Sequence, residues 1–463
     1  MSRATVAMIG AGPASLYGTE VLASEGFDVV ILNRDIKPGG LAEFGIYPTK
    51  YKMKRGLRTY FDKILSDPAV SYLGNVSVGL EGDLSLEEVR DLGVSAVVVA
   101  VGAQGTNWLG LPGETGPGVY HAKDLVYHYN GLPPYSEEEF PIGNRVVVVG
   151  LGNVCLDIVH WLVCEKQVES VTAVARRGPA ERKFTRKEYK LVSGALDQEG
   201  LRRELGAVAP VMESVGQDPE RELENLLKFV DVPLEKESPT KFSMRFLRSP
   251  VGVARDDDGR VTGLITEVTE LMPPTEEGWV GLRRTGRQEV VACDTVVFAI
   301  GDSIEPSLGL PLSEERANQF ATVREPWPEE DSERPRYMVY DPAAGAPMWG
   351  TFVVGWARQA SDGLVGKARA DAVQGCEEIL AYLRGEFPEG PGAPREGAEV
   401  AREVRALLQE RGVRFVEYDE VVRLKEMEEE EAQKRGLEEF RYSRRQAILE
   451  CLSGTRVVDS GEE

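Results

Sequence analysis

Short runs of β-branched and aliphatic residues, each closing on a glycine or a polar residue, punctuate the chain. Residues 5–9 (TVAMI), 27–32 (FDVVIL), 95–102 (SAVVVAVG), 146–149 (VVVV), 171–175 (VTAVA) and 294–301 (DTVVFAIG) have the make-up of strands in a buried parallel sheet. Twice the order is strand, glycine turn, apolar helix, strand. The first copy runs through strand 5–9, the turn Gly10-Ala11-Gly12-Pro13-Ala14-Ser15, helix 16–24 and strand 27–32, ending at Asn33. The second runs through strand 146–149, Gly150-Leu151-Gly152-Asn153, a helix over 154–163 and strand 171–175, which delivers Arg176-Arg177. Each copy predicts a βαβ unit. Together they predict an α/β chain with two Rossmann-like dinucleotide-binding domains.

The two turns differ in the chemistry that follows them. Glycines at 10 and 12, and at 150 and 152, allow a tight turn and let a pyrophosphate approach the free N–H groups of a helix N-terminus. Cys155, at the third fingerprint position, is small enough for close helix–strand packing. An NAD site places a carboxylate on the ribose 2′-OH at the end of the second strand; two arginines suit a 2′-phosphate, so the second copy reads as an NADP site. An N-terminal copy of this kind usually holds FAD. There Asn33 stands where a carboxylate is expected. An amide oxygen still accepts one hydrogen bond, and Asp35 lies beyond the strand end.

Between and after these units the pattern is less regular. Pro38-Gly39-Gly40-Leu41 is a turn whose glycines suit close approach to a ligand, or simply a loop. Residues 50–63 carry six basic residues against one acid, Asp62, a local charge of +5. That segment is either a solvated helix face or, at 50–58, a dock for an acidic partner. The stretch 190–240 is charged and helix-prone, and carries no recognisable motif. Residues 251–269 and 279–291 read as strands around the turn Asp256-Asp257-Asp258-Gly259. A Pro-rich acidic loop, 326–336, precedes Thr351-Phe352-Val353-Val354-Gly355-Trp356, and Asp362-Gly363-Leu364-Val365-Gly366 opens a helix to about Leu383. That helix N-terminus could aim its positive end at an electron-rich ring. Domain crossings fall near Trp108 and residue 320. The expected division is 1–108 and 321–390 for the FAD-binding domain, 109–320 for an inserted NADP-binding domain, and 391–463 for a C-terminal helical extension. The run Glu428-Glu429-Glu430-Glu431 in that extension reads as a solvated helix face.

Bulk properties narrow the class. At 463 residues the chain exceeds a single core. A net charge of −22 argues against nonspecific binding to nucleic acid or anionic membrane. The nearly apolar stretch 146–164 is about long enough to span a bilayer, but Gly150, Gly152, Asn153, Asp157 and His160 interrupt it. The five cysteines are scattered without a C-x-x-C, which argues against a redox disulfide or a cysteine-ligated cluster. His121, His128 and His160 have no zinc spacing, so no metal site is expected. Met1-Ser2-Arg3-Ala4 leads directly into a strand, so neither a signal nor a transit segment is expected. With reduced thiols, this points to a cytoplasmic protein.

These residues carry a resemblance. The chain resembles adrenodoxin-reductase-type ferredoxin–NADP reductases over essentially its whole length. The matching pieces include Gly10-x-Gly12-Pro13, Gly40-Leu41, Val101-Gly102-Ala103, Leu111-Pro112-Gly113-Glu114, Gly150-x-Gly152-Asn153-Val154 with Asp157, and Arg176-Arg177-Gly178-Pro179. They continue through Phe184-Thr185, Glu188, Arg245-Phe246-Leu247-Arg248-Ser249-Pro250, Gly355-Trp356, Gly363-Leu364-Val365-Gly366 and Leu407-Leu408-x-x-Arg411-Gly412-Val413. Glutamate-synthase small subunits share the two nucleotide sites but lack this tail and carry extra cysteines. The resemblance implies FAD in the outer domain, against Gly10, Gly12, Pro13, Ala14, Asn33, Gly40, Leu41 and Gly102. It implies NADP in the inserted domain, with Gly150, Gly152, Asn153 and Val154 along the pyrophosphate and Arg176 and Arg177 on the 2′-phosphate. Trp356, Gly363, Leu364 and Val365 would lie against flavin or nicotinamide, with Asp157 and Glu188 as polar neighbours of the redox centre.

The resemblance further implies hydride transfer between nicotinamide and flavin, and single-electron exchange with an iron–sulfur protein. Where the family has Pro-Asp-His near the flavin, this chain has Pro48-Thr49-Lys50. Lys50 supplies charge there, but an ordinary lysine pKa near ~10 makes a poor proton shuttle at neutral pH. The expectation is an FAD-dependent NADPH–ferredoxin oxidoreductase. Its alternatives are a dedicated NADP-side subunit of a larger iron–sulfur oxidoreductase and a non-catalytic NADP-sensing or scaffold subunit.

Overall fold

The computed structural model describes residues 3–276, 278, 280–314, 319–323, 336–359 and 365–454. The chain forms two compact units. One comprises Met1–Thr106, Tyr129–Glu137 and Asp302–Glu463; the other comprises Asn107–His128 and Glu138–Gly301.

The first unit is built on a seven-stranded sheet. Its strand order is Met338–Asp341, Ala346–Val353, Ala96–Val99, Thr5–Ile9, Asp28–Asn33, Val70–Gly74 and Val416–Glu417, with the two outermost strands antiparallel to their neighbours. The sequence runs are continuously apolar because both faces of the sheet are covered. On one face Met8, Ile31 and Val98 pack with Leu16 and Leu22 of the helix Pro13–Ser24 and with Ala372 and Ile379 of the helix Val365–Leu383. On the other, Ile9, Leu32 and Val99 pack with Val400, Val404 and Leu408 of the helix Gly397–Glu410. The tail therefore covers one face of this sheet, and Val416–Glu417 closes its edge against Leu73 and Gly74.

The same core takes in residues that the sequence division placed elsewhere. Ile304, Leu308, Leu310 and Phe320 are buried with Ile9 and Leu32. Asp302–Ser303 pairs antiparallel with Gly105–Thr106. Tyr129–Glu137 also belongs to this unit, with Gly131 against Ser443 and Ser136 bonded to the Ser443 carbonyl.

The second unit has a five-stranded parallel sheet, in the order Val119–His121, Thr295–Phe298, Arg145–Val149, Ser170–Val174 and Lys241–Arg245. Beside it a three-stranded antiparallel sheet joins Arg248–Arg255, Val261–Pro274 and Val280–Ala292. The stretch with no readable motif supplies two helices, Gln198–Glu213 and Pro219–Leu227. Leu201, Leu205, Val208 and Met212 recur at helical spacing and are buried. Glu204 is buried among them; its carboxylate accepts the Phe246 N–H at 2.9 Å and pairs with Arg245 at 2.6 Å. Among the described residues no helix is long and apolar enough to cross a membrane.

Candidate functional site

Each unit has one glycine turn at its topological switch point, where neighbouring strands lead away in opposite directions and an open α/β sheet leaves a crevice. In the first unit the strands Thr5–Ile9 and Ala96–Val99 lie side by side there. Gly10 has φ +96°, and a Cβ would stand 2.8 Å from the Ala100 carbonyl oxygen, so only glycine fits. Gly12 faces open space and caps the helix Pro13–Ser24 with no side chain of its own, leaving the first N–H groups of that helix for a ligand. Gly40, at φ +49°, comes so close that its Cβ would lie 3.0 Å from Gly12 Cα; Leu41 follows as the first residue of the short helix Leu41–Phe44. Gly355, at φ +69°, stands against Ala14, and its N–H donates to Asp371 at 2.6 Å. Trp356 follows, half-buried, with a buried indole N–H that has no hydrogen-bond partner among the described residues. Gly102 turns at φ +73° beyond the strand Ala96–Val99. Gly363 and Leu364 lie outside the described residues; Val365 opens the helix Val365–Leu383.

Asn33 is 7 % exposed and committed on both arms. Its Oδ1 accepts the Ala11 N–H at 3.0 Å, and its Nδ2 donates to the Asp35 carbonyl at 2.8 Å, to the Tyr72 hydroxyl at 3.1 Å and to the Lys37 carbonyl at 3.3 Å. The amide braces the glycine turn. A carboxylate could not make those donations.

Beneath the Gly39-Gly40 turn lies a buried ionic network with no sequence signature. Glu43 is 3 % exposed; its carboxylate accepts two hydrogen bonds from Arg58, at 2.6 and 2.8 Å, and forms ion pairs with Arg441 at 3.2 Å and Lys37 at 3.6 Å. Burial alone would raise its pKa, but Arg441, Lys37 and Arg58 outweigh that and hold it well below the usual carboxylate range. Lys37 also meets Glu428 at 2.6 Å, and Arg58 meets Glu439 at 2.5 Å. Lys54, 1 % exposed, donates to Asn130 Oδ1 at 2.6 Å. Burial and the neighbouring Arg441 lower its pKa to about 7.

Two sequence expectations change here. The 50–58 segment is not a continuous cationic surface, because Lys54 and Arg58 face inward from the helix Tyr51–Leu65; Lys52 and Arg55 are exposed and Lys50 is half-exposed. The acidic run of the tail is not wholly solvated, since Glu428 is buried against Lys37.

The second unit repeats the first turn's geometry. Gly150, at φ +131°, passes so near the Ala299 carbonyl oxygen that no Cβ fits, and Gly152 faces open space at the N-terminus of the helix Asn153–Trp161. Asn153 Oδ1 accepts the Thr185 N–H at 2.8 Å, which ties the Phe184-Thr185 loop to the helix start. Val154 is 47 % exposed on the open side. Asp157 is half-buried on that helix, and Glu188 is half-buried on the helix Arg186–Tyr189 that packs against it. Cys155 is fully buried, and burial with nearby Asp157 pushes its thiol up to about 12, so it serves as packing and not as a nucleophile. Beyond the end of the strand Ser170–Val174, Arg176 is exposed and its guanidinium makes no hydrogen bond or ion pair among the described residues. Arg177 is half-buried and donates to the Val280 carbonyl. Both turns thus fit a pyrophosphate: each offers a cradle that a side chain would fill and an uncapped helix N-terminus.

Comparison with known proteins agrees. Residues 4–304 match the model of the pyridine nucleotide-disulphide oxidoreductase family. The mitochondrial NADPH:adrenodoxin oxidoreductase of Arabidopsis thaliana is 30 % identical over 345 residues, 67 % of this chain and 70 % of that protein. The NADPH-ferredoxin reductase FprA of Mycobacterium leprae is 26 % identical over 413 residues, 82 % of this chain and 84 % of that protein. The structure of Mycobacterium tuberculosis FprA in complex with NADPH superimposes with a TM-score of 0.78 at 24 % identity, covering 97 % of this chain and 99 % of that one, which establishes the shared fold. The match to that family model holds without a disulfide among the five cysteines. The chain belongs to the pyridine nucleotide-disulphide oxidoreductase family, in its adrenodoxin- and ferredoxin-reductase branch, and is an FAD- and NADP-dependent flavoprotein oxidoreductase.

Proposed function

We propose that the protein carries electrons between NADPH and a ferredoxin or another iron–sulfur protein, with FAD held by the first unit and NADP by the second. The observation that carries this reading is the pair of switch-point glycine turns, one per unit, with the uncommitted Arg176 guanidinium at the second. FAD, when bound, supplies the conversion between two-electron and one-electron chemistry. The chain's residues hold and shield. Gly10, Gly12, Pro13, Ala14, Gly40 and Leu41 are assigned to the first cradle, with Asn33 fixing its shape and Gly102 and Trp356 beside it, and Val365 is assigned to the same cofactor as the first residue of its helix. Gly150, Gly152, Asn153 and Val154 line the second, and Arg176 and Arg177 stand at its ribose end. Lys50, Asp157 and Glu188 are assigned polar roles near the redox centre. Five cysteines without a disulfide suit a compartment that keeps thiols reduced, such as the cytoplasm.

Docking of the acidic protein partner is assigned to exposed cations that stand out in a chain of charge −22. Exposed Lys52 and Arg55, with half-exposed Lys50, remain of the first patch; Lys183, Arg186, Lys187 and Lys190 form another on the second unit. Purified protein is expected to show flavin bands near ~450 nm that bleach with NADPH and recover with oxidised ferredoxin. A colourless protein that still binds NADP would instead favour the sensing or scaffold role, and stable co-purification with an iron–sulfur partner the subunit role. The double variant Lys52→Glu/Arg55→Glu should raise KM for ferredoxin and flatten its salt dependence; unchanged values would remove the first patch from the dock.

A further inference from the structure

The hairpin of the second unit extends past the sheet that supports it. The strand Arg248–Arg255 pairs with Val261–Pro274 only as far as Val268. From Thr269 outward the hairpin is two-stranded, with Thr269 opposite Arg284, Glu270 opposite Arg283, Leu271 opposite Leu282 and Pro274 opposite Val280. This arm lies along Arg176, Arg177 and Gly178. Thr269, 1 % exposed, donates its hydroxyl to the Arg176 carbonyl at 2.6 Å. The Val280 carbonyl accepts from the Arg177 guanidinium. Leu271 sits 3.6 Å from where a Cβ on Gly178 would be. Leu247, at φ +54°, links the two: its N–H donates to the Arg177 carbonyl at 3.2 Å, and its carbonyl accepts the Thr269 N–H at 3.0 Å.

Resting on the NADP reading of this unit, we infer that the arm is a specificity element. Thr269 fixes the backbone of Arg176 so that its guanidinium meets the 2′-phosphate, while Arg177 serves mainly as the tie that holds the arm. The two arginines, equivalent by sequence, therefore have different roles. One guanidinium is exposed with its N–H groups turned to solvent; the other already gives one N–H to a backbone carbonyl of the arm. A hydroxyl-to-carbonyl bond buried beside the first restricts where that side chain starts. This is a positioning role for Thr269, since its hydroxyl is used on protein.

The test is titration calorimetry on the full-length, flavin-loaded enzyme with 2′,5′-ADP and with 5′-AMP, which differ in the 2′-phosphate. Thr269→Val is expected to weaken 2′,5′-ADP roughly fivefold, the value of one hydrogen bond, with 5′-AMP unchanged and Thr269→Ser restoring the wild-type ratio. Equal ratios for wild type and Thr269→Val would overturn the inference. Arg176→Met should abolish the preference for 2′,5′-ADP, and Arg177→Met should reduce it only partly. Equal and complete loss in both arginine variants would overturn the division of roles. Full preference retained in Arg176→Met would instead sink the NADP reading of this site, separately from the arm.

Discussion

The two glycine turns share a backbone geometry and differ in what surrounds them. Around the first, Asn33 grips the turn from the next strand, Gly40 and Gly355 press on Gly12 and Ala14, and a buried set of charges stands behind Gly39-Gly40. Those supports come from residues as distant in sequence as Asp371, Glu428 and Arg441. Around the second turn the bracing is local, through Thr185 and the strands on either side, and Val154 and Arg176 face outward. The difference matches two kinds of ligand. A cofactor retained through many turnovers benefits from a cradle over-determined by packing; a nucleotide that enters and leaves on each cycle needs an open rim with charge at its edge.

The contrast predicts where damage falls. Glu43→Gln removes the carboxylate that Lys37, Arg58 and Arg441 share and leaves their charges buried, so about 3–5 kcal/mol of stability should be lost in denaturant titration. Flavin content should fall while 2′,5′-ADP affinity stays at the wild-type value; equal loss at both sites would dissolve the contrast.

A smaller effect concerns Lys54. Its folded pKa of about 7 lies below the ordinary value of 10.5, so between those values the unfolded chain binds a proton the folded chain lacks. Stability should therefore rise with pH across that window, with the full penalty present below about 7. Lys54→Met should flatten the slope, and an unchanged pH profile would show that the ammonium is accommodated by Glu43 and Glu439.

The smallest effect is the most pointed. Asn33→Asp restores the carboxylate that flavin ribose sites usually carry, yet it should cost about 1–2 kcal/mol, because the Asp35 and Lys37 carbonyls would face an acceptor. Thermal melts with and without added FAD check this; tighter flavin binding without loss of stability would reverse the role given to Asn33.

What could be read in advance followed the range of the interactions. The turns at 10–12 and 150–152 and the strands ending at Asn33 and Arg176-Arg177 depend on patterns within about thirty residues. The placement of Lys54 did not. A helix with basic residues at 50, 52, 54, 55 and 58 looks like a charged face, and only the arrival of Asn130, Glu439 and Arg441 turns part of it inward. Glu428 misleads for the same reason, since its partner Lys37 is 391 residues away. The division of the chain was blurred where short segments cross over: Ile304 to Phe320 and Tyr129–Glu137 join the first unit through burial that no local pattern announces. Arg176 and Arg177 look interchangeable until the hairpin arm is in place.

The closure of the first sheet by Val416–Glu417 has a consequence for synthesis. Strands that pair in that sheet are drawn from residue 5 to residue 417, and Thr5 itself donates to the Arg395 carbonyl at 2.6 Å. The second unit is complete once residue 301 has left the ribosome. The first unit draws its strands from both sides of that segment, so the apolar strands before residue 107 stay without their later partners until residue 417 has emerged. On the nascent chain the second unit can therefore pack before the first, whose sheet closes only when the tail is free to add its strand.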